Sequence, residues 1–475
     1  MKNSPNSLLE YSRLSQKNLE QALQTALSRG GDFSELYLEY ASYKLVHMEE
    51  DIIKETTESI SLGMGIRVID GEKTGYGYTS DLAMDKILKT AQTAAAIASN
   101  SPNKTVRLRS MPLKHNFYPI KMAPDREPFR KRIQIVKEAY AAAQNFHKNI
   151  MKVNVTLADS VQTILVANSN GLYISDTRPM VKLVCKAIAE KNGVREYGFS
   201  GGGGRVGYDY FSHEQSPREI GREAAEEAVL LCDAVAPPAG EMPVVLTPGH
   251  SGVLVHEAVG HLLEADFNRK KTSVFWNKMG RLVAHPQVTI YDDPTIPYFR
   301  GSYNIDDEGT IPQKILLINR GILSGLLQDR LSARIMGSSL TGHGRRQDYS
   351  SIPFPRMSNT YIDKGEYDPE EIVKSVKKGF YASKFQGGQV EDSGKFTFSV
   401  SLGYLIENGR ITSPVKQATL IGNNIQTLAS IEMVGSDLKF GFQTGTCGKE
   451  GQSVPVSDGC PTLKISRMTV GGRQG

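Results

Sequence analysis

Cysteine is scarce in this chain: four residues in 475, at positions 185, 232, 447 and 460. That is too few for a disulfide framework. No run of eighteen apolar residues occurs, which excludes a hydrophobic membrane-spanning helix. The opening MKNSPNSLLEYSRL has no apolar core of the kind a secretory signal needs. Basic residues interleaved with aromatics are also missing. A net charge of +5 is small for so long a chain, so nucleic acid is not an expected partner. The most basic stretch, MPLKHNFYPIKMAPDREPFRKR, reads as a solvated linker. The expectation is a soluble protein of the reducing cytoplasm, with free thiols and no membrane partner.

What is present fits a globular protein. Hydrophobic residues make up 39% and charged residues 23%, and the length suffices for two or three domains. Residues 7–29 read as one helix, stopped by Gly30-Gly31. Residues 34–47 and 58–69 read as strands; in the second, Ile60, Leu62, Met64, Ile66 and Val68 alternate strictly. Alanine-rich helices are expected at 82–99 and 126–148. Hairpins follow over 151–192, with Asn170-Gly171 as a turn. Ser216-Pro217 opens a helix to about 234, and APPAG at 236–240 breaks it. The boundary is placed there: an N-terminal α/β domain, 1–235, and a C-terminal domain, 241–475. The second half is mostly short strands, with the best hairpin signal at Asn408-Gly409 and a helix near 369–379. The fold class is therefore α+β, the C-terminal domain being β-rich and partly barrel-like.

The most informative segment is HEAVGH, which places His256, Glu257 and His261 in one short apolar stretch. Two imidazoles can bind a divalent metal, and an adjacent carboxylate can take a proton from a metal-bound water. The spacing is i, i+5. In a regular α-helix, five residues turn the side chain about 140° away, and the two rings could not share an ion. In a π-type turn the offset falls to roughly 50°. A locally widened helix is expected at 256–261, with Gly260 absorbing the distortion and Ser251 capping the start. A catalytic zinc site usually takes three protein ligands. Glu264, Asp266, Asp292, Asp293 and Cys447 are the candidates for the third, and spacing alone does not choose between them.

Two other segments carry functional readings. SGGGGRVGYDYF lacks the GK[ST] ending of a phosphate loop and reads as a flexible hairpin or loop. In GHGRRQDYSSIPFPR, Arg345, Arg346 and Tyr349 have the chemistry to stabilise an oxyanion, but a surface loop is the stronger reading.

Five segments in order, HEAVGHLLEADFNRKKTSVF, GSYNIDDEGT, GLLQDRLSARIMG, GHGRRQDYSSIPFPRMSNTY and GTCGKEGQSVPVSDGCPTLKISRMTVGG, resemble the TldD branch of the TldD/PmbA (TldE) metallopeptidase family. The resemblance is strongest from about residue 240 onward. It implies that His256 and His261 are metal ligands, Cys447 the third ligand and Glu257 the catalytic carboxylate. It assigns no role to Cys460. The implied activity is endopeptidase hydrolysis of short or unfolded peptides, using zinc (or ferrous iron) and a metal-bound water. The implied assembly is a homodimer or a heterodimer with a PmbA/TldE-like subunit. PmbA-type paralogues lack HExxxH. The alternative is accordingly a non-catalytic partner or scaffold subunit of such a complex. A strand-rich domain also suits peptide capture by strand addition.

Overall fold

A computed structural model describes residues 5–98, 105–391 and 393–472. The N-terminal half is built on one seven-stranded sheet. Its long strands are Phe33–Glu49, Ile52–Asp70, Ile150–Asn168 and Leu172–Lys191. Strand Phe33–Glu49 is central, paired antiparallel with Ile52–Asp70 on one side and Ile150–Asn168 on the other. Alternation assigns the faces. Leu36, Leu38, Val46 and Met48 pack under helices, with Gln16–Ala26 and Met84–Ala95 at one end and Phe129–Gln144 and Pro217–Cys232 at the other. The opposite face carries Tyr37, Ile164 and Val166, which meet Ile305 of the C-terminal half.

That second face is also heavily charged. Arg67 pairs with Glu35 at 2.9 Å and with Glu308, while Arg346 reaches back to Glu35. Arg178 bridges Asp176 at 3.1 Å and Asp307 at 2.6 Å. All of these side chains are buried. The halves are thus joined by ion pairs across strand residues that alternate with the apolar ones.

The C-terminal half contains a closed five-stranded barrel. Its strands are Gly240–Leu246, Lys378–Val390, Lys395–Glu407, Arg410–Asn423 and Leu463–Gly472. Closure comes from pairing of the last with both Arg410–Asn423 and Gly240–Leu246. Asn408 and Gly409, both at positive φ, make the hairpin turn that their sequence signals. Val244 and Leu246 share one apolar core with Leu254, Val255, Val259, Leu262 and Leu263. The segment bearing the two histidines is therefore seated on the barrel by its apolar side. No helix among the described residues is long and apolar enough to cross a membrane.

Several local expectations need correction. The helix expected over 7–29 is two helices, Pro5–Ser12 and Gln16–Ala26, because Ser15 caps the second through Asn18. The helix expected over 82–99 ends at Ala95, and residue 99 lies outside the described residues. The helix near 369–379 stops at Lys374. Gly201–Gly204 form no mobile loop; they end the strand Val194–Gly204 and are buried. Glycine is needed there for close approach: a Cβ on Gly203 would lie 2.0 Å from the Val181 carbonyl oxygen.

Candidate metal centre

The chain enters the site from strand Gly240–Leu246, turns at Gly249, and runs through the helical turn Gly252–Val255. At His256–Gly260 the helix widens, and the His261 amide donates to the His256 carbonyl, an i→i+5 bond. A tighter turn, His261–Leu263, follows, and Glu264 leaves the helical region at ψ 126°. The widened turn expected from the i, i+5 spacing is present. It sets the two imidazole rings perpendicular, with centroids 5.1 Å apart.

The expected roles of Gly260 and Ser251 differ from what is found. Gly260 has ordinary helical angles, φ −55° and ψ −55°, so it absorbs no distortion. It is glycine because Met357 packs against it: a Cβ would sit 1.8 Å from the Met357 Sδ. Ser251 makes no side-chain capping bond.

Cys447 arrives from strand Thr446–Lys449. Its Sγ lies 3.5 Å from His261 Nε2. Donor atoms of His256, His261 and Cys447 all fall within 4.8 Å of one another. Each ligand candidate is held from behind. His256 Nδ1 is 2.8 Å from Asp458 Oδ1, and His261 Nδ1 is 3.2 Å from Glu264 Oε2. In the neutral rings these contacts place the proton on Nδ1 and leave the Nε2 lone pairs for a cation. Arg356 Nη2 donates to the Cys447 carbonyl at 2.7 Å and contacts its sulfur at 3.2 Å.

The donor set fits a tetrahedral divalent ion. Bond lengths of about 2.0 Å to nitrogen and 2.3 Å to sulfur at a tetrahedral angle imply an N···S separation of about 3.5 Å, which is the 3.5 Å found. Electrostatics agree. Burial pushes the Cys447 thiol up, but His256 and His261 outweigh it and hold the group well below the ordinary thiol value. Burial pulls His261 down, yet Glu264 and Cys447 carry it up to about 10. His256 is likewise raised, against burial, by Asp458 and Cys447. Three electron-pair donors converge here, and only protons or a shared cation can hold them together.

Glu257 stands beside this group, its Oε2 4.0 Å from His261 Nε2. Burial raises its carboxyl above the usual value, with the two histidines pulling the other way. It lines a 560 Å³ cleft together with His256, His250 and Phe442.

The other third-ligand candidates are engaged elsewhere. Glu264 and Asp266 both accept from Lys449. Asp292 is fully buried, bonded to His343, Ser358 and Thr360. Asp293 accepts from the Thr295 amide and hydroxyl. Cys460 is buried, its thiol pushed up by burial and 3.5 Å from the Thr247 carbonyl oxygen. Arg346 is committed to Glu35, and Arg345 donates to the Pro455 carbonyl at 2.8 Å. Tyr349 packs over Gly63, where a Cβ would meet its ring at 2.3 Å. None of these three joins the triad, and the expected surface loop is not found over the arginines: Arg345 and Arg346 are buried, and Tyr349 is half-buried. Sequence reasoning missed Asp458, Arg356 and Lys449. The one signal for Lys449 is its i+2 relation to Cys447 on a strand, which puts both on one face.

Comparison with known proteins gives a consistent answer over the whole length. Models of the PmbA/TldA metallopeptidase family match as domain 1 over residues 34–98, as central domain over 123–231 and as C-terminal domain over 239–472. The chain is 40% identical over 477 residues to a metalloprotease TldD homolog of Buchnera aphidicola, covering 98% of each. It is 28% identical over 464 residues to a zinc metalloprotease TldD homolog of Saccharolobus solfataricus, covering 95% of this chain and 99% of that one. The crystal structure of TldE from Thermococcus kodakarensis shares the fold, with a TM-score of 0.75, 20% identity, and coverage of 96% and 100%. With a donor triad beside a carboxylate, and kinship running from one end of the sequence to the other, this chain belongs to the PmbA/TldD metallopeptidase family and is a metal-dependent protease.

Proposed function

We propose that the chain is a zinc endopeptidase of unfolded peptides, with His256, His261 and Cys447 as ligands and Glu257 as general base. The convergence of the three donor atoms within 4.8 Å, with Glu257 at the cleft, carries this reading. When bound, the metal supplies Lewis-acid polarisation of the scissile carbonyl and acidifies water. Glu257 takes the proton of the attacking water and passes it to the leaving amine. Asp458 and Glu264 keep the imidazoles in the ligating tautomer. Zinc accords with the His₂Cys donor set, and ferrous iron is the competing occupant.

The cleft supports the reading of unfolded substrates. Strand Lys378–Val390 pairs with Gly240–Leu246 only at Phe380–Ala382. Beyond that point one edge is unpaired among the described residues, and Phe385–Gly388 line the cleft. An extended peptide can add to such an edge through its main chain, so sequence preference is loose. A segment already paired on both sides within a folded protein has no backbone groups left for this edge.

Association with a second copy, or with a TldE-like subunit, is the proposed assembly. Residues 52–62 of strand Ile52–Asp70 lie beyond its pairing with Lys73–Thr79, and Ile52 and Ile60 are exposed there. Mass measurement of the protein alone and mixed with a TldE-like chain distinguishes the two. The proposed compartment is the cytoplasm, where Cys447 stays reduced.

The deciding experiment combines metal analysis of the pure protein with digestion of a disordered peptide, with and without chelator. One equivalent of zinc, and cleavage abolished by chelation and restored by zinc, is expected. Cleavage indifferent to chelation sinks the reading.

A further inference from the structure

Cys447 rides on an unusual support. The hairpin of Thr446–Lys449 and Gln452–Pro455 belongs to none of the three large sheets, and its strands pair with each other alone among the described residues. An isolated two-stranded hairpin is at best marginally stable, so something outside it must fix its position. Along the first strand, Thr446 and Gly448 face outward while Cys447 and Lys449 are buried. Both buried side chains therefore project from the same face of the ribbon.

Lys449 reaches the segment that directly follows the metal-binding turn. Its Nζ donates to Glu264 Oε2 at 2.9 Å, to Asp266 Oδ1 at 2.7 Å and to the Pro355 carbonyl at 3.2 Å. An ammonium has three protons, and three acceptors meet them. Phe267 closes over the charge, its ring centroid 4.5 Å away. Glu264 is also the partner of His261 Nδ1. One carboxylate thus joins the clasp of the hairpin to the back of a histidine.

We propose that Lys449 is a positioning residue: by locking the hairpin to Glu264 and Asp266, it delivers the Cys447 sulfur to the histidine pair. The inference rests on the reading of Cys447 as the third ligand. Two residues along a strand span roughly 6.6 Å, so a hairpin that slips at Lys449 carries the thiol with it. The remaining grip would include Arg356 on Cys447, Arg345 on Pro455, Gln347 on Gln452 and Ser453, and Gln452 on the Ile352 carbonyl. The expected effect is accordingly a weakened site rather than a lost one.

The test uses cobalt(II) as the probe metal on the full chain. Lys449→Met is expected to weaken cobalt binding by about 10- to 100-fold in competition with a chelator. The thiolate-to-cobalt charge-transfer band should weaken in parallel. In the metal-free protein, Cys447 should alkylate faster, as followed by peptide mass mapping. Asp266→Ala removes one anchor and touches no ligand, while Asp266→Asn removes only its charge; both should shift all three readouts the same way by a smaller factor, Asn least. Wild-type affinity, band and alkylation rate in Lys449→Met and Asp266→Ala overturn the proposal. If Lys449→Met does not fold, Asp266→Ala decides alone, and wild-type behaviour there overturns it. Cys447→Ala separates the two levels. If that variant binds cobalt like wild type, the ligand reading fails and this inference with it. If it loses cobalt while folded Lys449→Met does not, the positioning role alone fails.

Discussion

Two clusters of buried charge occupy this chain, and they are built on opposite plans. Between the halves, Arg67, Arg178 and Arg346 meet Glu35, Asp176, Asp307 and Glu308. Each guanidinium faces at least one carboxylate, and opposite charges meet inside the chain. At the cleft, His256, His261 and Cys447 turn their donors toward one another, and their partners, Asp458, Glu264 and Arg356, stand behind them. The first plan joins surfaces. The second concentrates electron pairs at a point, which is a cost unless a cation shares them. Burial is similar in both, so burial alone does not separate a structural cluster from a reactive one; the direction of the donors does.

The largest expected effect tests the reactive side. Glu257→Gln should lower peptide cleavage by about 10²- to 10⁴-fold while zinc content measured by mass spectrometry stays at the wild-type level. Parallel loss of metal and activity would make Glu257 a holder of the ion rather than a base. The structural side is tested next. Arg67→Met leaves Glu35 and Glu308 buried without that partner, and should cost about 3–5 kcal/mol in denaturant unfolding. Zinc stoichiometry of the folded fraction should not change. If metal is lost as well, the two clusters are coupled and the contrast collapses.

A smaller effect is expected where the helix is closely packed. Gly260→Ala forces Met357 away and should cost about 1–3 kcal/mol, with a drop in cleavage because the widened turn shifts. The smallest effects are in pH. In the metal-free protein His261 is raised to about 10, from an ordinary value near 6.5. Its contribution to stability is fully present below pH 6.5 and disappears as pH rises through 10. Cys447 has the opposite sign: its thiolate contribution is present above the ordinary thiol value and fades as pH falls through its lowered one. Between neutral pH and the ordinary thiol value the growing Cys447 contribution offsets one fading imidazole, but His256 is raised as well. Two losses outweigh one gain, so melting temperatures of the metal-free protein should decline from neutral to alkaline pH, while zinc affinity climbs as the imidazole protons leave. A melting temperature that rises over that interval would contradict the protonated histidines. On the acid side, the raised Glu257 carboxyl should place the fall of activity above the usual carboxylate range, visible in a pH–rate profile.

Much of the site was legible from one irregularity. The i, i+5 spacing is incompatible with a shared ion on a regular helix, so the sequence demanded a widened turn, and the turn is there. Strands with strict alternation and turns marked by Asn-Gly were also readable, because local sterics dictate them. Cys447 was not singled out by spacing, since its meeting with His261 depends on tertiary folding. The supporting shell was unreadable for the same reason: Asp458 lies 202 residues from His256, and Lys449 lies 185 from Glu264. Gly260 and the Gly201–Gly204 run were misread as sources of freedom. Both are sites where another part of the molecule presses close, which a local window does not reveal.

The separation of 186 positions between His261 and Cys447 has a consequence for synthesis. At about 5–20 residues per second, a ribosome needs roughly 10–40 s to pass from one codon to the other. Throughout that interval the emerging polypeptide carries the two imidazoles without the Cys447 thiolate. On the proposed reading, in which Cys447 completes the site and unfolded peptides are the substrates, the protease is thus inert while its own strand is unstructured and nearest to harm.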